Sequence, residues 1–210
     1  MDDYVYLGVT FYYNNTFTKA IERQILLARK ALFSLDFKIK TLNLNVDMQI
    51  DLFKKLIVPI LTYGCEIWGY NTLETVELFQ RKFLKNTLKL HKYTANPIVY
   101  GETGTEPLRI CIYNRMINFW HRTRVGDTNK ISSILYKLVK TYYDNDIYKT
   151  KWALKINNIL DSMGRSYLWN FDRINTKQIK EMTKRKLKDI YLQEWNTEIN
   201  ENRLCINYKL

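Results

Sequence analysis

Arg81, Lys85, Lys89 and Lys92 stand at i, i+4, i+8 and i+11, with Lys82 and His91 beside them and no acid between Arg81 and Lys92. On a helix that spacing lays the cations in one row along a single face. Point charges at helical pitch meet what a nucleic-acid backbone needs: ammonium and guanidinium groups against phosphates, with no base read. The plain alternative is a solvated helix face, and the charge balance tips the choice. The chain carries 33 Lys and Arg against 21 Asp and Glu, a formal net charge of +12. Residues 73–140 hold twelve bases and five acids, whereas residues 1–72 hold eight and seven, and residues 141–210 thirteen and nine. A globular chain of this charge works beside an anionic partner, most often nucleic acid. Arg115 and Arg122, on an apolar segment further along, join Arg81, Lys82, Lys85, Lys89 and Lys92 as candidate contacts. A second row, Lys177, Lys180, Lys184 and Lys188, is diluted by Glu181, Asp189, Glu194 and Glu198.

Other chemistries find little footing. His91 and His121 have no paired nucleophile and no zinc-ligand spacing. Cys65, Cys111 and Cys205 are an odd, widely spaced set, read as reduced and buried, which places the chain inside the cell, in nucleus or cytoplasm. No two carboxylates stand out as a facing acid–base pair. The start of the chain is acidic and polar, so no signal peptide is expected, and the apolar span from Leu56 to Trp68 is too short for a bilayer and contains Glu66, so no membrane is expected either.

The elements that must position the basic row are mostly helical. Gly and Pro are scarce, at 7 and 3 residues, and apolar positions recur at helical spacing along most of the chain. Tyr4 to Tyr12 is β-branched and aromatic and reads as a strand, possible arm of a hairpin turning at Asn14-Asn15, with no obvious partner later in the sequence. Thr16 or Thr18 is placed to cap a helix with Phe17, Ile21, Ile25, Ala28, Leu32 and Leu35 on one face. Asp51 to Gly69 follows, the most apolar run, kinked at Pro59, with Phe53, Leu56, Ile57, Ile60, Leu61 and Ile67 inward. Asn45 or Asp47 caps it, and Thr72 caps the basic helix, whose core face is Val76, Phe79, Phe83, Thr87 and Leu90. Residues 96–108 read as a connecting loop from their Gly and Pro density. Helices are expected from Leu108 to about Val125, Ile131 to Tyr143, Trp152 to Met163 and Thr176 to about Ile199. Gly126-Asp127-Thr128-Asn129 reads as the subdomain boundary, and Gly164 and Asn170-Phe171-Asp172 as the later breaks.

Three stretches resemble one family. Pro59-Ile60-Leu61-Thr62-Tyr63-Gly64-Cys65-Glu66-Ile67-Trp68 closely resembles a signature downstream of the polymerase palm in non-LTR (LINE-like) retrotransposon reverse transcriptases, in the helical thumb. Tyr6-Leu7-Gly8-Val9 resembles that family's Tyr-Leu-Gly box at the palm–thumb junction, which grips the primer end. Gly101-Glu102, Gly104 and Pro107-Leu108 match a Gly-Glu-x-Gly-x-x-Pro-Leu pattern between thumb-side helices. Trp152, Leu160, Gly164 and Trp169, then Leu187, Asp189, Trp195 and Tyr208-Lys209, are similar to the linker that follows the thumb.

The resemblance implies a mainly α, thumb-like helical bundle behind a short N-terminal strand or hairpin. It assigns residues 1–15 to the palm–thumb junction, 16–125 to the thumb-like domain and 126–210 to a helical linker subdomain. It implies an RNA–DNA hybrid or DNA as ligand, held through the backbone, with Tyr6, Leu7 and Gly8 in a primer-grip-like position and an upstream palm and fingers if a longer product exists. The parent enzymes are RNA-directed DNA polymerases that use magnesium held by three palm aspartates. This chain lacks them: Asp2-Asp3 abuts Tyr4-Val5-Tyr6-Leu7 and leaves no room for the palm hairpin. No catalytic residue and no cofactor is therefore expected in the fragment. Two other readings stay open. One is a retained helical protein-interaction module whose face is marked by Tyr142, Tyr143, Trp152, Tyr167 and Trp169. The other is a functionless remnant of an element.

Overall fold

The computed structural model describes residues 3–12, 16–71, 73–127, 129–171 and 175–208. Asp2, the Asn14-Asn15 turn, the Thr72 cap, Thr128, Asp172 and Lys209 lie outside them. The fold is mainly α with an N-terminal β-hairpin. Its elements run β1 (Asp3–Tyr6), β2 (Val9–Tyr12), α1 (Thr18–Thr41), α2 (Val46–Leu52), a π-helical turn (Phe53–Ile57), α3 (Val58–Leu61), α4 (Cys65–Trp68), α5 (Glu74–Thr87) and α6 (Asn96–Thr103). Then come α7 (Leu108–Val125), α8 (Ile131–Asp144), α9 (Lys151–Ser162), a 3-10 turn (Ser166–Trp169), α10 (Thr176–Glu201) and a last 3-10 turn (Arg203–Tyr208).

Two compact units form. The first comprises Met1–Gly64, Asn71–Arg109 and Glu194–Leu210; the second comprises Cys65–Tyr70 and Ile110–Gln193. These units interleave along the chain, unlike the consecutive division drawn from the sequence. The Gly126–Asn129 break separates α7 from α8 but lies within the second unit.

In the first unit the opening strand supplies its own partner. β1 and β2 pair antiparallel with Tyr6 opposite Val9, so Leu7 and Gly8 form a two-residue turn with φ of 47° and 80°. Both central residues at positive φ define the turn whose twist suits a hairpin. The turn is tied down by the Tyr63 hydroxyl, which donates to the Leu7 carbonyl at 2.8 Å, and by Gln24 Nε2, which donates to the Gly8 carbonyl at 3.5 Å. α1 starts without a side-chain cap: Phe17 holds the cap position and Thr18 is already helical. Asn45 does cap α2, accepting from the Met48 amide at 2.9 Å.

The expected Pro59 helix is real but differently built. A π-helical turn at Phe53–Ile57 precedes Pro59 and inserts an extra residue into the turn, with the Val58 amide bonded to the Phe53 carbonyl. The helix then ends at Leu61, and Gly64, at φ 68°, separates it from α4. This phase shift carries Phe53, Ile57 and Leu61 inward and turns Leu56 to solvent, while Ile60 is half-buried and Ile67 exposed. Phe53 stacks on Phe83 of α5 with centroids 4.1 Å apart. Residues 96–103 form α6 rather than loop. Pro97 stands in its first turn and Gly104, at φ 55°, ends it, so the residues that read as loop punctuation bracket a helix. α6 receives Tyr208, whose hydroxyl lies 2.6 Å from where a Gly101 Cβ would stand, and Trp195 Nε1 donates to the Pro97 carbonyl at 2.8 Å.

The second unit is built on indoles. Trp68 and Trp120 are fully buried, and Trp120 stacks on Trp169 at 6.1 Å with planes 4° apart. Trp169 Nε1 donates to Asp144 and Trp152 Nε1 to the Glu66 carbonyl. Of the aromatics read as a binding face, Trp169 is therefore core and Trp152 half-buried, whereas Tyr142 and Tyr167 are exposed. α8 packs through Ser133 and Tyr136 and turns Ile131, Ile134, Leu135, Leu138 and Tyr142 outward. Cys65 and Cys205 are buried as expected, but Cys111 is exposed. Among the described residues, no helix is long and apolar enough to cross a membrane.

Candidate nucleic-acid interface

α5 begins with Glu74 and Glu77, as its dipole favours, and gathers its bases toward the C-terminus. Helical phase sends Val76, Gln80, Phe83 and Leu84 inward, and Arg81 with them. Arg81 is 9% exposed, donates to Glu74, and lies 3.5 Å from Glu77. Glu77 accepts from the Arg109 amide at 3.2 Å, and burial pushes its carboxyl above the usual range against the pull of Arg109 and Arg81. Arg81 thus does not stand in an outer cationic row; it pairs with buried Glu77 and exposed Glu74.

The row also changes course at its other end. α5 stops at Thr87, and Lys89, at φ 55°, takes the left-handed position just past it. The Leu90 amide bonds the Lys85 carbonyl at 2.8 Å and the Lys89 amide the Asn86 carbonyl at 3.1 Å, a closing motif usually given to glycine. Lys92 is beyond the helix, and its carbonyl accepts from Lys85 Nζ at 2.9 Å. Burial and the nearby Arg81 hold the Lys85 ammonium below its usual pKa. Lys82, Lys89 and Lys92 are exposed.

What α5 does present is one wall of an open cleft of about 660 Å³. Lys82 and Lys89 line it from one side; Arg29, Asp36 and Lys40 of α1 line it from the other. Leu32, Ile39, Phe79 and Phe83 give it apolar surface. Four cations thus face one carboxylate, and burial, opposed by Lys40, raises the pKa of Asp36. Low-dielectric walls under a net positive charge focus potential into such a space. The sequence reading missed Arg29 and Lys40. The signal was present: both sit on the helix that must pack beside α5, one position out of phase with its core residues Ala28 and Ile39.

The remaining candidates are placed separately. Arg115 belongs to the second unit, half-buried, with Nε 3.0 Å from Glu66. Arg122 is exposed in the same unit, its guanidinium 6.0 Å from the Phe119 ring. Tyr6 and Leu7 are exposed and Gly8 half-buried at the hairpin turn. In α10, Lys177, Lys180, Lys184 and Lys188 all reach the surface. Among the described residues, no three of His, Cys, Asp and Glu stand together as a group that could hold a metal ion.

No protein-family model matches this chain, and neither a curated protein nor a solved structure matches it.

Proposed function

We propose that the chain binds nucleic acid through its sugar–phosphate backbone, as the thumb-like, non-catalytic part of an RNA-directed DNA polymerase of the non-LTR retrotransposon type. The observation that carries this reading is the α1–α5 cleft, where Arg29, Lys40, Lys82 and Lys89 face Asp36 alone. Such a site neutralises phosphates without reading bases. An RNA–DNA hybrid is the natural ligand to try, because backbone contacts follow helix shape. The experiment is fluorescence anisotropy with a labelled hybrid, using Lys82→Glu with Lys89→Glu. Both side chains are exposed, so the fold should tolerate the change. Affinity should fall at least tenfold; unchanged binding would reduce the cleft to a solvated surface.

A retained interaction module is the second reading, favoured by the outward stripe of α8. Ile131, Ile134, Leu135, Leu138 and Tyr142 are 76%, 52%, 55%, 47% and 40% exposed. Contiguous apolar surface of this kind marks contact sites, and an identical stripe on a second copy would complement it. Sedimentation would show self-association that Leu135→Glu with Leu138→Glu abolishes; a monomer at high concentration removes that occupant.

A further inference from the structure

Phe33 and Phe37 are 80% and 72% exposed, more than almost any other large apolar side chain described. They stand on α1 between two cations of the cleft. Arg29, Phe33, Phe37 and Lys40 fall at i, i+4, i+8 and i+11, one row on one face. The backbone positions of Phe33 and Phe37 are about 6 Å apart along the helix axis, at 1.5 Å per residue. Arg29 and Lys40 also line the cleft, which Lys82 of α5 and Lys89 just past its end close from the other side. Solvent-facing phenyl rings flanked by cations bring together the two parts of a single-strand site. Charges track the backbone, and each ring offers a face on which an unpaired base stacks whatever its identity. A duplex cannot use the rings in this way, because its bases are already stacked on one another.

We infer that the α1 face bearing Phe33 and Phe37, with the adjoining cationic cleft, binds an unpaired nucleic-acid strand. Phe33 and Phe37 stack on successive bases while Arg29, Lys40, Lys82 and Lys89 hold the phosphates. This rests on the nucleic-acid reading of the cleft and adds unpaired strands as the ligand that uses the rings as well as the charges.

The test compares a labelled oligodeoxythymidylate of about 12 nucleotides, an abasic strand of the same charge, and an RNA–DNA hybrid. Phe33→Leu with Phe37→Leu keeps the apolar bulk, removes the rings and, at exposed positions, leaves the fold intact. The pair should weaken oligothymidylate binding roughly tenfold or more, since stacking contributes strongly per base. Hybrid binding should stay within about twofold, and the unaltered protein should bind the abasic strand as weakly as the Leu pair binds oligothymidylate. Equal losses on strand and hybrid, or no loss on the strand, overturn the inference. Lys82→Glu with Lys89→Glu separates this from failure of the reading beneath it. If that variant loses both ligands while the Leu pair loses neither, the cleft binds backbone and the stacking is wrong. If it keeps both ligands, the nucleic-acid reading falls as well, and the stacking assignment with it.

Discussion

Arg81 shows how far one residue's role depends on helical phase. Its side chain is 10% exposed and that of Glu77 is 9%, so the pair is buried and each charge needs the other. Removing one member of a buried pair costs about 3–5 kcal/mol, because the survivor stays desolvated. Arg81→Met should therefore destabilise the first unit by that order at pH 7, and the loss should depend on pH. Burial raises the folded pKa of Glu77 above its unfolded value. Native protein thus holds this proton more tightly, a contribution present below the ordinary carboxylate pKa of about 4.3 and lost as pH rises through the folded value. Without Arg81 the folded value rises further. Urea melts should show Arg81→Met closer to the parent protein at pH 4 than at pH 7; equal losses at both would mean Glu77 does not depend on Arg81. Leu7 makes a converse case. A β-carbon at φ 47° costs about 1–2 kcal/mol, and asparagine suits this turn position far better. Leu7→Asn should raise the thermal midpoint of the hairpin, with no change at all arguing that the turn carries no strain.

At the scale of elements, close approach and chain reversal make separable demands on glycine. A Cβ at Gly69 would meet the Cys65 carbonyl at 2.6 Å, Ile112 Cγ2 at 2.6 Å and Met116 Sδ at 2.8 Å, so α4 can lie against α7 only without a side chain there. Gly104 has open space around it, and only its φ of 55° opposes a side chain. Gly69→Ala should cost about 1–3 kcal/mol through overpacking, and Gly104→Ala about 1 kcal/mol through backbone strain. Chemical denaturation should preserve that order; a reversal would mean α4 can slide aside. The same elements show what could be read in advance. α7, α8, α9 and α10 were legible because Ile112, Met116 and Trp120, or Ile156 and Leu160, repeat at helical period on buried faces. α6 was not, since Pro97 and Gly104 mean loop or helix end depending on whether the six residues between them pack. Leu56 was misplaced because periodicity assumes 3.6 residues per turn, and the π-helical turn breaks that count. Arg81 was assigned outward because charge was taken to imply exposure, while the glutamates that pair with it, buried Glu77 and exposed Glu74, come four and seven residues earlier. Phe33 and Phe37 failed to stand out in the sequence for the opposite reason: aromatic residues on a helix are ordinarily core.

Across the whole molecule, net charge and local geometry point to different places. The second unit carries 17 bases and 8 acids, a net +9, against 16 and 13, a net +3, in the unit that holds the cleft. If charge alone decided, duplex would be drawn to α10, where Lys177, Lys180 and Lys184 lie exposed. Geometry argues otherwise. Glu181 and Asp189 interrupt the α10 row, and an exposed cation on a lone helix face is screened within about 8 Å at physiological salt. In the cleft, four cations share apolar walls with one carboxylate. Binding affinity falls with salt on a log–log scale by about 0.9 for each phosphate neutralised on duplex and about 0.7 on a single strand. Lys82→Ala with Lys89→Ala should therefore flatten the slope for a hybrid by nearly 2 and for oligothymidylate by somewhat less. Lys177→Ala, Lys180→Ala and Lys184→Ala together should change it by less than about 1, despite removing one more charge. Titrations from low to physiological salt decide between the two surfaces. A loss near 3 from the α10 triple, with little from the cleft pair, would move the interface to the second unit and leave Arg29, Lys40, Lys82 and Lys89 as solubilising charge.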